Sequence, residues 1–248
     1  MTTLLFYREI KALNRDEHKS LRLKPVENSA FASGMHLVPL AGLEFFHAAR
    51  HYPIVFIGEA DKAMPIALLG LQEGHNSYLG EGQQWQANTY IPAFVRRYPF
   101  VLAQDGEANF TVCFDAAYEG WSQADGRELF ENDGRNSPFL DEMIQFLQNF
   151  TKEMERTRQF VDKLNELGLL EGRSLKLSHR NGEQFNLSDF QAVNEERFLT
   201  LPDEQVLELN RLGFLGWIYA HLMSLGNANY LFEHFLAQKA QQESATQH

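Results

Sequence analysis

Pro53-Ile-Val-Phe-Ile57 and Pro65-Ile-Ala-Leu-Leu-Gly-Leu71, separated by the polar Glu59-Ala-Asp-Lys62, decide the fold. Both are compact apolar runs, and the short polar step between them suits two buried antiparallel strands joined by a tight loop. Downstream, Gln72-Glu-Gly-His-Asn76 is a turn signal, and Ser77-Tyr-Leu79 reads as a third strand. Phe110-Thr-Val-Cys-Phe114 alternates with a period of two, which puts Phe110, Val112 and Phe114 on one face and Cys113 on the other. Upstream, Leu21-Arg-Leu-Lys-Pro-Val26 reads as a short half-buried strand. Gly42 to Arg50 reads as a short helix with Leu43, Phe45, Phe46 and Ala49 on or near its buried side.

Beyond a loop-like, Gly- and Asp-rich stretch at 116–137, the signals become helical. Ser137 is placed to cap a helix that has Pro138 in its first turn, with Asp141 and Glu142 at the favourable end of its dipole. Met143, Leu147, Phe150, Met154, Val161 and Leu164 recur at helical spacing, and Gly168 is a ready stop. Residues 173–190 read as a hairpin about Asn181-Gly182. Thr200-x-x-Asp203 has the spacing of a helix-start box before Val206, Leu209 and Leu212, with Gly213 as the stop. Phe214 to Leu225 and Asn229 to Gln238 follow as helices, and the polar tail from Lys239 reads as frayed. The expected fold class is α+β. An antiparallel, β-rich N-terminal part packs with a long central helix, a β-hairpin and C-terminal helices. A single domain over 1–248 is expected, its only natural subdivision being a β-rich part at 1–120 and a helical part at 137–238.

Twenty phenylalanines among 248 residues supply ample apolar area for a core, and the lone Cys113 forms no internal disulfide. Cys113 has no His or Cys neighbour in sequence and reads as structural. A formal charge of −11 sets the chain against nucleic acid as its main partner. The start Met-Thr-Thr-Leu-Leu-Phe-Tyr-Arg lacks the pattern of a secretory signal, and no apolar run approaches a membrane span. The expectation is a cytoplasmic protein without membrane insertion, signal-independent export being the alternative.

Chemistry-bearing motifs are scarce. Gly80-x-Gly82 lacks the third glycine and the following helix of a nucleotide loop, and no serine elbow, His-Glu-x-x-His or Cys-x-x-Cys occurs. Glu195-Glu196, Asp203-Glu204 and Glu153/Glu155 read as surface charge. His221 and His234 would approach each other if their helices fold back at Gly226-Asn227, and a metal or heme pair is then the sharp reading. The plainer one is a pair of packed histidines. No cofactor and no catalytic residue is expected from these motifs.

Tyr90-Ile-Pro-Ala-Phe-Val-Arg-Arg-Tyr-Pro-Phe100 is different, because it sets Arg96 and Arg97 in a proline-bounded aromatic segment of an acidic chain. Trp85, Tyr90, Phe94, Tyr98 and Phe100 are placed to wall the two arginines. Guanidinium groups in such a wall stack on the rings, clamp a carboxylate or phosphate of a ligand or partner, tie down backbone carbonyls, or pair internally with Asp105 or Asp115. The candidate ligand-binding residues are therefore Arg96, Arg97, Tyr98, Tyr90 and Trp85.

These segments resemble the bacterial SapC family. The likeness is carried by Tyr52-Pro-Ile-Val-Phe56, by Pro65 to Leu71, and by Tyr90 to Phe100. Leu212-Gly-Phe-Leu-Gly-Trp-Ile-Tyr-Ala-His-Leu-Met-Ser-Leu225 adds to it. It extends roughly from Val26 to Leu236, and it does not concern the similarly named permease subunit of a peptide-uptake system. The resemblance implies an accessory role beside TonB-dependent nutrient uptake, with tryptophan-halogenase-like flavoproteins or cupin-like enzymes as partners. The family name implies, as an alternative, a surface-layer or envelope-associated structural protein. An unrecognised metal- or heme-binding enzyme using His221 and His234 is the third reading. The family supplies no catalytic residues to carry over.

Overall fold

The computed structural model describes residues 5–59, 62–105, 109–180 and 182–246. The two apolar runs pair as strands β4 (Ile54–Ile57) and β5 (Met64–Leu68), antiparallel with Ile54 opposite Ala67. They sit near the middle of a five-stranded antiparallel sheet. Its order is β10 (Leu170–Ser178), β11 (Gln184–Val193), β4, β5, β3 (Leu37–Pro39). A second sheet places β7 (Asn109–Asp115) between β1 (Ile10–Ala12) and β6 (Phe100–Asp105). In a third, the short β2 (Arg22–Leu23) lies between β8 (Trp121–Ser122) and β9 (Arg127–Glu128). The fold class is α+β, as the sequence predicts.

Helices join these sheets. The two smallest are α1 (Phe45–Ala48) and α2 (Ala93–Arg96). The largest, α3 (Pro138–Glu166), begins where the sequence predicts, with the Ser137 hydroxyl accepting from the Leu140 amide at 3.2 Å. Leu140 and Leu147 pack with Phe100, Phe114 and Leu129 in one apolar cluster. Phe150, Phe160, Val161 and Leu164 pack with β4, β5 and the C-terminal helices in another. One continuous helix thus ties the two cores together. After the hairpin come α4 (Glu195–Leu199), α5 (Asp203–Leu212), α6 (Leu215–Ser224) and α7 (Asn227–Thr246).

Several expectations are corrected. Residues 77–79 form no strand. The Tyr78 ring is buried against Tyr52, and its amide donates to Asn76 Oδ1; the backbone adds single bonds from Ser77 to Leu69 and from Gln86 to Tyr78 and an isolated Leu79–Trp85 bridge, but no ladder. Thr200 ends α4 and does not start α5. Its hydroxyl donates back to the Glu196 and Arg197 carbonyls and closes α4, while Pro202 precedes α5 without a side-chain cap. The tail from Lys239 continues α7 as far as Thr246, held in part by a 3.1 Å Lys239–Glu183 contact. Within 42–50, Gly42–Glu44 is a 3-10 turn, and its tighter winding changes the phase of the helical residues beyond it. Glu44 and Phe45 are buried there, while Leu43 and Phe46 are 57% and 56% exposed. In β7, both Cys113 and Phe114 are buried although they point to opposite faces; Phe114 packs into the cluster with Leu140 and Leu147, and Phe110 at the far end of the strand is exposed. The expected hairpin is present but longer, and Asn181 of its turn lies outside the described residues.

Gly42 marks a tight junction between these parts. Its amide donates to Thr157 Oγ1 of α3 at 2.8 Å, and a Cβ there would lie 2.3 Å from the buried Trp217 ring of α6. Gly42→Ala is expected to cost about 1–3 kcal/mol through overpacking. Gly34→Ala, where a Cβ meets nothing within 4 Å, should change stability by less than about 0.5 kcal/mol. Urea midpoints of the two variants check this, and equal midpoints would refute it.

Candidate functional site

Arg96 and Arg97 are consecutive on a single-turn helix, yet they lead to different places. Arg96 is exposed, and Arg97 is only 2% exposed. A step of about 100° around the helix turns neighbouring side chains to different surfaces. Along α3, Phe146, Asn149, Phe150 and Glu153 share one stripe, and Leu147, Thr151, Met154 and Arg158 share the next. Each stripe walls one cavity, and Phe150 lines both.

The Arg96 groove, of about 530 Å³, lies between α1, the 90–96 segment and α3. At its base is Glu44, 6% exposed. Glu44 Oε1 accepts from the Ala93 amide at 2.6 Å and from the Tyr90 hydroxyl at 2.9 Å, and Oε2 accepts from the Ala41 amide at 3.0 Å. Burial pushes its pKa up, against the pull of those three donors and the Arg96 charge. The Tyr90 oxygen in turn accepts from Arg96 Nη2 at 3.1 Å, while Arg96 Nε donates to the Ile91 carbonyl at 3.0 Å. Burial and the Glu44 carboxylate push Tyr90 up to about 12, so its proton stays on the Glu44 side. The guanidinium carbon lies 5.6 Å from the Tyr90 ring centre and 5.2 Å from that of Phe146. His47 stacks on Tyr90 at 5.4 Å, and Asn149 and Glu153 complete the polar lining. The result is a positioned cation at the mouth of a groove whose Glu44 carboxyl is already satisfied, while Glu153 Oε2 is buried without a hydrogen-bond partner among the described residues and lies 3.8 Å from Arg156.

Arg97 is held by aromatic rings instead. Its guanidinium carbon lies 3.9 Å from the Phe94 centroid, 5.4 Å from Phe150 and 5.7 Å from Tyr7. Arg97 also hydrogen-bonds the Tyr7 hydroxyl, which itself donates to the Phe100 carbonyl at 2.6 Å. Burial lowers the Arg97 pKa and raises that of Tyr7 to about 12. Of the two carboxylates expected as partners, the Asp105 side chain lies outside the described residues. The buried Asp115 accepts from the amides of Arg8, Glu9 and Ala117 and from the Tyr98 hydroxyl, at 2.9–3.1 Å. It therefore anchors the N-terminal segment and Tyr98.

The other sequence candidates separate. Tyr98 stacks on Phe31 at 4.1 Å and, with its hydroxyl on Asp115, belongs to neither arginine cavity. Trp85 donates to the Tyr52 hydroxyl at 3.0 Å, and that hydroxyl donates to the Tyr90 carbonyl, so Trp85 braces Tyr90 from behind. His221 is fully buried with both ring nitrogens engaged. Nδ1–H donates to the Ile54 carbonyl at 2.8 Å, and Nε2 accepts from the Val193 amide at 3.0 Å. His234 packs against Tyr230, with ring centres 4.4 Å apart and planes tilted by 45°. No group of three potential metal-binding side chains occurs among the described residues. Cys113 is buried, which raises its thiol pKa. Glu195, Glu196, Asp203 and Glu204 are exposed.

Sequence reasoning missed Glu44, His47, Asn149 and Glu153. Glu44 left one signal, an acid inside the apolar run Ala41-Gly-Leu-Glu-Phe-Phe46. Glu153, which in sequence reads with Glu155 as surface charge, is half-buried and lines the Arg96 groove. No helix among the described residues is long and apolar enough to cross a membrane. A family model described as SapC matches residues 13–231. No curated protein and no solved structure matches the chain.

Proposed function

Because the chain belongs to the SapC family, whose model spans most of it, we propose that it is a non-catalytic accessory protein that captures a small organic anion in the Arg96 groove. One observation carries this reading. Arg96 is exposed, yet it is held in place by the Ile91 carbonyl, the Tyr90 hydroxyl and two aromatic faces. A guanidinium fixed in this way has less entropy left to lose on binding a carboxylate or phosphate. His47 and Asn149 add donors, and Leu43, Ala93 and Phe146 supply apolar wall. Both oxygens of Glu44 already accept hydrogen bonds, which favours a supporting role for it over acid–base chemistry.

A partner-binding role rests on a separate observation. Phe46 of α1 reaches the Gly216 position of α6, and Tyr219 and Met223 on that helix are 53% and 68% exposed. A protein laid over this ridge would also reach Leu43 at the groove wall. That arrangement supports docking of a partner protein; the link to TonB-dependent nutrient uptake, and a flavoprotein or cupin-like enzyme as the partner, rest on the family resemblance alone.

The capture reading is tested by thermal unfolding with benzoate, glutamate and inorganic phosphate. A ligand at ten times its Kd adds about 1.4 kcal/mol and raises Tm by about 3–6 °C in a chain of this length. At least one of the three should do so for the native chain and not for Arg96→Ala, which itself should cost less than about 1 kcal/mol. No shift with any of the three, or an equal shift in the variant, refutes capture by Arg96.

A further inference from the structure

The two ends of the Arg96 groove carry opposite charge. At one end Arg96 lies against Phe146, its guanidinium carbon 5.2 Å from that ring centre. Phe146, Asn149 and Glu153 follow one another along α3, and the helical rise sets Phe146 and Glu153 about 10 Å apart. The groove's two carboxylates are not equivalent. Glu44 accepts from the Ala93 and Ala41 amides and the Tyr90 hydroxyl, so both its oxygens are engaged. Glu153 Oε2 is buried and has no hydrogen-bond partner among the described residues. Arg156 Nη1 stands 3.8 Å from it, beyond hydrogen-bonding distance. That guanidinium is committed elsewhere, with Nη2 donating to the Leu212 carbonyl at 3.1 Å and its carbon 4.7 Å from the Trp217 ring centre. A buried carboxylate oxygen left in this state costs free energy that a donor would recover.

We propose that the carboxylate captured at Arg96 belongs to an ω-amino acid, whose ammonium donates to Glu153 at the other end of the groove. This rests on the capture reading above and narrows it to one class of ligand. An ammonium brings three donors and a full positive charge to a carboxylate that lacks a donor. A simple monoacid engages one end only. A dianion sets its second carboxylate against Glu153. In an α-amino acid the ammonium sits beside the carboxylate and stays at the Arg96 end, next to a like charge. A methylene chain between the two heads lies along Leu43, Ala93 and Phe150, and apolar walls with a few placed charges are the usual makeup of small-molecule sites.

Calorimetric titration of the full chain with 6-aminohexanoate and with hexanoate, which differ only in the amine, tests this. The amino acid should bind at least tenfold more tightly than hexanoate. Glu153→Gln should weaken 6-aminohexanoate at least fivefold and leave hexanoate no weaker, whereas Arg96→Ala should weaken both. If hexanoate binds through Arg96 and the amine adds nothing, capture stands and the ω-amino class falls. If neither acid binds saturably to the native chain, the ω-amino proposal falls, and with it capture of an aliphatic acid. Undiminished binding of 6-aminohexanoate by Glu153→Gln overturns the place given to its ammonium. That variant gives up only the 3.8 Å pairing with Arg156 and should fold by circular dichroism. The comparison of the two acids on the native chain needs no variant and is decisive by itself.

Discussion

Arg97→Ala is expected to destabilise the fold by about 3–5 kcal/mol, and Arg96→Ala, one residue away, by less than about 1 kcal/mol. The difference follows from surroundings rather than chemistry. Truncating Arg97 empties a site enclosed by Phe94, Phe150 and Tyr7, and a side chain of this size leaves a cavity that the aromatic neighbours cannot fill. It also removes a desolvated cation–π contact worth about 2 kcal/mol, and it takes from Tyr7 the guanidinium that bonds its hydroxyl. Arg96 gives up two ring contacts and two hydrogen bonds at a site that water refills. Urea unfolding of both single variants separates the cases. Similar, small losses for the two would show that Arg97 is no brace. Arg97→Lys should recover only part of the loss, because an ammonium does not reproduce the planar stack on Phe94.

The fold should also lose about 3 kcal/mol between pH 6.5 and pH 4 through His221 alone. Burial lowers this histidine from 6.5 to about 4 in the folded protein. Between those values the unfolded chain carries a proton that the native chain does not, so stability falls as pH falls. Above pH 6.5 both states are neutral and the contribution is constant. Protonation would place a hydrogen on Nε2, where the Val193 amide now donates, and set two donors against each other. Glu44 acts in the opposite sense. With its pKa raised by burial, it contributes stability at low pH that declines as pH rises through its folded pKa. The histidine contribution is isolated by His221→Gln, which should be less stable at pH 7 but show a flatter stability profile between pH 6.5 and about 4. An unchanged profile in the variant would assign the acid sensitivity elsewhere.

Much of this architecture is legible in the chain itself. Strands β4 and β5 are readable because their apolar runs are uninterrupted and separated by a polar step. Helix α3 is readable because its cap, first-turn proline and helical apolar stripe agree with one another. Loop-bound parts are not: Ser77–Leu79 has strand-like residues, but Asn76 and the buried Tyr78 fix it as an irregular turn. At the site, Arg96 and Tyr90 announce themselves by composition. Their division from Arg97 does not, because it depends on which side of a four-residue helix meets α3. Glu153 is one step of α3 away from the exposed Lys152, and only the packing of the Gly42–Glu44 turn against that helix covers it.

Strand β4 also meets β11 through an unusual splice. The two strands share a single aligned pair, Gln191 with Phe56, and beyond it α6 supplies the missing partners. His221 bonds the Ile54 carbonyl and the Val193 amide, and Ser224 accepts from the Ile54 amide at 2.9 Å. Ile54 and His221 are 167 positions apart in sequence. Closing so long a loop costs entropy before any contact repays it, and distant pairings of this kind slow folding. On the ribosome, the N-terminal strands must wait for residue 221 to emerge before the sheet can seal. Until then β4 presents an open, apolar edge of the sort that recruits chaperones or other chains.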